Sequence, residues 1–93
     1  MIYYTKQMFG NELKNKVLKK QNIIEIGIWA HSTYLEYCEN LEQGLRRIML
    51  DLNTMELGEQ FAISYEMLNK IADDLIAGKD VDLNAAEYRE DVG

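Results

Sequence analysis

The stretch 22–52 most constrains how this chain can fold, because apolar residues recur there at helical spacing and no proline interrupts them. At about 100° per residue, one narrow face of a helix collects seven apolar residues. These are Ile23, Ala30, Tyr34, Leu41, Leu45, Ile48 and Leu52. Asn22 followed by Glu25 has the spacing of a helix-capping box. The pattern predicts one continuous helix over 22–52, on the order of 45 Å long.

The apolar surface of this predicted helix is wider than one neighbouring helix covers. Ile24, Ile28, Leu35 and Met49 form a second stripe beside the first. A surface helix usually buries a stripe of somewhat over 100°, whereas the apolar arc in the first half of this helix is about 200°. The helix is therefore expected either to be central in a bundle or to contact a second molecule.

Three further segments have helical patterns and helix-start or helix-stop residues. The segment 5–20 has Phe9, Leu13 and Val17 at four-residue spacing. The segment 54–77 follows a cap signal at Asn53 and precedes a glycine suited to end a helix, Gly78. The segment 85–90 follows another cap signal. The sequence predicts an all-α fold: a small antiparallel bundle of three main helices over 5–20, 22–52 and 54–77, with a short C-terminal helix over 85–90.

Length and charge limit the classes of protein to consider. The 93 residues predict a single domain over 1–93, in which 79–93 is an acidic C-terminal segment. A small domain buries a modest fraction of its surface, so a homodimer is expected to add stability. The formal net charge of −6 disfavours general nucleic-acid binding. Residues 1–20, however, contain five lysines. Nucleic-acid binding through the lysine-rich first helix of a dimer is therefore a second alternative function.

No residue pattern predicts catalysis or a cofactor. The single cysteine, Cys38, is expected to be buried, and the single histidine, His31, lies seven residues before it. On a helix this spacing separates them by about 10 Å, too far to share one ion within the chain. The sequence predicts no catalytic, cofactor-binding or metal-binding residues. A small-molecule or metal site between two chains around His31 and Cys38 remains the first alternative function.

The chain is expected to be cytoplasmic. A lone cysteine fits a reducing compartment, and no apolar run of signal-peptide or membrane-span length is present. No membrane association is predicted.

Aromatic and large aliphatic residues of the long helix are the candidate partner-binding residues. Trp29, placed by the helical pattern among acidic residues, is the expected anchor, since tryptophan and tyrosine are enriched in binding hot spots. The full set is Ile24, Ile28, Trp29, Tyr34, Leu35, Tyr37 and Met49. The acidic surroundings favour a basic protein as the partner.

The sequence therefore predicts a non-enzymatic protein–protein interaction module that acts by masking a surface of its partner. Small acidic helical inhibitors, immunity proteins, antitoxins and chaperones act in this way, and the parallel is one of fold class alone.

Overall fold

The computed structural model describes residues 3–57, 63–79 and 81. Within these residues the chain forms four α-helices and one short 3-10 turn. They are α1 over Lys6–Leu18, α2 over Ile23–Tyr37, α3 over Leu45–Asn53, the 3-10 turn over Thr54–Leu57, and α4 over Tyr65–Ile76. No strand occurs in the described part, so the predicted all-α class is confirmed. The predicted helix over 85–90, and all but Lys79 and Val81 of the acidic segment, lie outside the described residues.

Side-chain caps fix where three of these helices begin. The Thr5 hydroxyl accepts the backbone N–H three residues ahead at 3.1 Å. The Asn22 carboxamide accepts the N–H of Ile24 at 2.8 Å, and the Ser64 hydroxyl accepts an N–H in the first turn of α4 at 3.2 Å. Each cap satisfies a backbone donor that the helix leaves unpaired, which stabilises the start by about 1 kcal/mol. The cap expected at Asn22 is thus confirmed.

The prediction of one continuous helix over 22–52 is wrong. Helix α2 ends at Tyr37, and residues 38–44 turn the chain before α3 begins at Leu45. Gly44 closes this turn at a φ of 90°, a left-handed conformation that glycine adopts without steric cost. The apolar period continues through the turn because α3 folds back against α2, so that both helices bury the residues that the pattern marked.

An extended arm at Tyr4 holds the turn in place. The Tyr4 N–H donates to the Asn40 carbonyl at 2.8 Å, and the Tyr4 carbonyl accepts the Glu42 N–H at 2.9 Å. Glu42 also accepts the backbone N–H of Lys6 at 3.0 Å through its side chain. The backbone groups of the turn are therefore paired with a segment distant in sequence, and a continuous helix would forgo these pairs.

The predicted helix over 54–77 is also wrong in extent. Asn53 is the last residue of α3 rather than a cap, the 3-10 turn follows it, and α4 begins at Tyr65. The predicted stop is confirmed: Gly78 has a φ of 82°, and its N–H donates to the Leu75 carbonyl at 3.0 Å. A left-handed glycine that pairs the last carbonyls is a common helix ending.

The four helices pack mainly as two pairs, α1 with α4 and α2 with α3. Gly10 lets α1 approach α4 closely, since a Cβ at this position would lie 2.9 Å from the Ala72 carbonyl oxygen. Buried apolar side chains from every element form one core. They are Tyr4, Phe9, Leu13, Val17, Ile26, Ala30, Leu45, Ile48, Met49, Leu52, Met55, Leu68, Ile71, Ala72, Leu75 and Val81.

Candidate interaction surface

Helix α2 uses one of its faces for the core. Ile26, Gly27, Ala30 and Thr33 are buried there, and α2 packs on α3 and on the 3-10 turn. On the α1 side, the Trp29 ring stacks on a buried phenylalanine at a centroid distance of 4.7 Å. The covered face of α2 thus lies between α1 and α3.

A second row of apolar side chains runs along α2 beside its covered face. Ile24, Ile28 and Leu35 are exposed by 39%, 47% and 61%. With the half-buried His31 they fall within an arc of about 60° on the helix, and we call these four residues the outward stripe. Their spacings of four, three and four residues follow one side of a helix along its axis.

This regular row distinguishes α2 from the other described elements. Among the described residues, the remaining exposed large apolar side chains are Tyr3, Met8, Leu18, Leu50 and Leu57. They are distributed over the arm, α1, α3 and the 3-10 turn. Single exposed apolar residues of this kind are normal, whereas a contiguous row indicates a contact surface.

The two edges of the outward stripe differ in charge. Glu25 and Glu36 are exposed on the edge toward α1, and we call them the glutamate rim. On the edge toward α3, the Arg46 guanidinium lies 5.8 Å from the centroid of the Tyr34 ring. We call Arg46 the arginine rim. Its positive charge lies across the outward stripe from the two glutamates.

The structure separates the seven predicted partner-binding residues into three groups. Ile24, Ile28 and Leu35 belong to the outward stripe, as described above. Tyr34 and Trp29 are half-buried beside the core. Tyr37 is half-buried as well, since its ring stacks on the ring of Tyr4 at 4.6 Å.

Met49 is a core residue, with 0% of its surface exposed. The prediction that it contacts a partner is corrected here, because it assumed that Met49 continued the second stripe of a single long helix. The break after Tyr37 turns α3 over, and Met49 faces inward.

Trp29 has a different environment from the one its helical position suggested. Its ring stacks on the ring of Phe9, and the Lys16 ammonium lies 5.0 Å from the Trp29 ring centroid. Removing Trp29 would therefore remove packing within the chain as well as any contact with a partner. Ile28 is the cleaner probe of the surface.

Cys38 is exposed, which corrects the expectation that it would be buried. It is the first residue after α2, three positions beyond Leu35, and therefore continues the spacing of the outward stripe. Among the described residues, no group of three or more His, Cys, Asp or Glu side chains lies close enough to hold a metal ion.

Lysines of the first twenty residues make contacts within the chain. The Lys14 ammonium donates to an Asp73 carboxylate oxygen at 2.7 Å. The Lys20 ammonium lies 5.5 Å from the Tyr65 ring centroid, and Lys16 covers Trp29. These contacts direct three of the positive charges of this segment toward α2 and α4.

Sequence reasoning missed a small acidic cluster next to the glutamate rim. Burial raises the pKa of Glu12, nearby Lys16 lowers it, and the negative charge of Glu36 raises it further. The Glu12 carboxylate accepts a hydrogen bond from the Tyr4 hydroxyl. A hydrogen bond to Glu36 raises the pKa of Tyr37. No local sequence signal reveals this cluster, because its members come from the arm, α1 and α2.

A surface cavity of about 620 Å³ lies near the beginnings of α1 and α3. Lys6, Glu42, Gly44 and Arg47 are among its lining residues. The Lys6 ammonium lies 3.7 Å from a Glu42 carboxylate oxygen, so this cation is already paired inside the cavity. The cavity therefore does not define a ligand.

Comparisons of the chain with protein-family models, with curated proteins and with solved structures gave no match. Among the described helices, none combines the length and the apolar character needed to cross a membrane.

Proposed function

We propose that this protein is a non-enzymatic protein–protein interaction module that docks a helix of its partner on the outward stripe of α2. The observation that carries the proposal is that α2 has two neighbouring apolar faces, of which the core covers one. Fully burying an exposed isoleucine or leucine side chain contributes about 1.5–3 kcal/mol, and the exposed parts of Ile24, Ile28 and Leu35 offer a fraction of that energy each.

The shape of the stripe favours a helical partner. Its residues follow one line along α2, and an amphipathic helix places its own apolar residues along a matching line. Spacings of four and three residues are those of helices that pack side by side. A partner helix bound here has its apolar face masked, which is the mode of action that the sequence predicted.

The rims specify the charges that the partner helix carries. The flank opposite Glu25 and Glu36 must present lysine or arginine, and the flank opposite Arg46 must present an acid. The requirement for cations on one flank retains the predicted preference for a basic partner surface.

A synthetic helix tests this proposal directly. The probe has isoleucine and leucine along one seam, lysine on the flank that meets the glutamate rim, and glutamate on the other flank. We expect it to bind the wild-type protein in isothermal titration calorimetry. A peptide of the same composition in scrambled order is the control and should not bind.

Two matched variants locate the binding site. Ile28→Gln should weaken binding of the probe by at least about tenfold, equivalent to about 1.4 kcal/mol. Leu18→Gln makes a similar change at an exposed residue of α1 and should leave binding unchanged. Equal binding by both variants, or no binding by the wild type, would contradict the proposal.

A further inference from the structure

We infer that the helix docked on the outward stripe is α2 of a second copy of this chain, and that the two α2 helices run parallel about a two-fold axis. The inference rests on the proposed function, because it names the occupant of the same surface. Three features of α2 support it: the spacing of the stripe, the charges of its rims and the position of His31.

The spacing of the stripe is that of a heptad seam. Ile24, Ile28, His31 and Leu35 are separated by four, three and four residues, and Cys38 follows three residues later. Two helices whose apolar residues repeat in this way pack knobs into holes along their full contact. From Ile24 to Cys38 the seam is about 21 Å long at 1.5 Å per residue.

The rims decide between parallel and antiparallel pairing. In an antiparallel pair, the two-fold axis crosses the helices, and each glutamate rim faces the glutamate rim of the other copy. In a parallel pair, the axis runs along the helices, and each glutamate rim faces the arginine rim. Opposed carboxylates repel and opposite charges attract across an interface, so the charges favour the parallel arrangement.

Arg46 and Glu36 also lie at similar positions along the α2 axis. Arg46 lies over Tyr34, which is two residues, or about 3 Å, from the level of Glu36. In the parallel pair, Arg46 of one copy therefore lies opposite the partner's Glu36. The two-fold axis makes this contact twice.

His31 supplies the polar position of the seam. In the parallel pair it faces the partner's His31, whereas the isoleucine and leucine positions form apolar layers on either side. A single polar residue in such a seam fixes the register at a cost in stability. Together with the short seam, this predicts a dimer that dissociates on dilution.

Light scattering coupled to size-exclusion chromatography, over a concentration series, tests the inference on the full chain. The wild type and Leu18→Gln should shift from monomer to dimer as concentration rises. Ile28→Gln should raise the dissociation constant at least about tenfold, equivalent to about 1.4 kcal/mol, since each dimer loses two apolar side chains from its seam. Circular dichroism of each variant establishes that it is folded.

The charges are tested by a swap within one chain. Arg46→Glu and Glu36→Arg should each weaken the dimer, because each places like charges opposite one another in the parallel pair. The double variant carrying both changes should recover wild-type association. A double variant no stronger than the single variants would overturn the assignment of facing rims.

Cross-linking through Cys38 tests whether the two α2 helices are parallel or antiparallel. In the parallel pair the two Cys38 thiols lie at the same end of the seam, and a short bis-maleimide should link them. In the antiparallel pair they lie at opposite ends of the seam, about 21 Å apart along the axis and beyond a short linker. Cys38→Ser is the control and should give no linked dimer. A dimer that Ile28→Gln disrupts but the reagent does not link would overturn the parallel orientation.

The remaining outcomes separate this inference from the proposed function. A wild-type monomer at every concentration that still binds the synthetic helix would overturn self-pairing and retain helix docking. A wild-type monomer that does not bind the synthetic helix would overturn both. A dimer that persists unchanged in Ile28→Gln would overturn the assignment of the outward stripe as its interface.

Discussion

Glu12 is a carboxyl group whose charged form the fold disfavours. Burial and the negative charge of Glu36 raise its pKa, against the opposing effect of Lys16. A raised pKa in the folded state means that folding favours the protonated carboxyl. Its contribution to stability is therefore full at low pH and is lost as the pH rises through the pKa of the folded state.

Glu12→Gln should remove this dependence on pH. Below about pH 4, the wild type and the variant should have similar free energies of unfolding, since glutamate is then largely protonated. As the pH rises toward neutrality, the variant should become the more stable of the two. Urea unfolding followed by circular dichroism at several pH values measures the difference, with the exposed Glu39→Gln as control. A difference that does not change with pH would refute the assignment.

At the scale of elements, the contact between α1 and α4 depends on the absence of a side chain at Gly10. A Cβ there would lie 2.9 Å from the Ala72 carbonyl oxygen and 3.0 Å from the backbone nitrogen of Ile76. Both atoms belong to the α4 backbone and cannot rotate away. Two opposing effects thus act on any substitution: alanine favours the helix by about 1 kcal/mol, and overpacking costs about 1–3 kcal/mol.

Gly10→Ala should destabilise the protein, because backbone atoms on both sides of the contact force the helices apart. We expect a loss of up to about 2 kcal/mol after the gain in helix propensity is deducted. Asn11→Ala, at the neighbouring exposed position of α1, is the control and should be neutral or stabilising. Chemical unfolding measures the free energy of unfolding of both variants. A Gly10→Ala variant more stable than the wild type would contradict this prediction and would mean that α4 can shift to accommodate the added Cβ.

Two helical stretches illustrate how far the sequence predicts elements. The segment 5–20 was predicted closely, since α1 runs over Lys6–Leu18 and the predicted apolar residues Phe9, Leu13 and Val17 are buried in the core. The stretch 22–52 was not, because residues 38–44 interrupt it. The apolar period alone cannot distinguish a straight helix from two helices folded against each other, as the first stripe packs against the core in either case.

At the scale of the whole molecule, Tyr4 connects parts of the chain that are far apart in sequence. Its ring is 2% exposed, stacks on Tyr37 and makes an edge contact with Phe9 at 6.3 Å. Its backbone pairs with the turn that separates α2 from α3. The arm therefore stabilises the fold-back that gives the molecule two helices where the sequence pattern showed one.

Tyr4→Ala should cost about 3 kcal/mol of unfolding free energy, as expected for removing a buried aromatic ring from a core. Tyr4→Phe keeps the stacking and loses only the hydrogen bond to Glu12, for a cost of about 1 kcal/mol. Thermal and urea unfolding measure both. Equal losses in the two variants would show that the hydroxyl, rather than the ring, carries the stability.

The sequence by itself determined the helical class, the cap at Asn22, the stop at Gly78 and most of the buried residues, because these follow from local backbone chemistry and from apolar spacing. It also marked Ile24, Ile28 and Leu35 as a second apolar row. Only the tertiary structure decided which row is covered, since burial depends on the neighbours of a helix rather than on its own pattern. The fold-back at Gly44, held by the distant arm, turned Met49 inward and left the outward stripe of α2 exposed between rims of opposite charge.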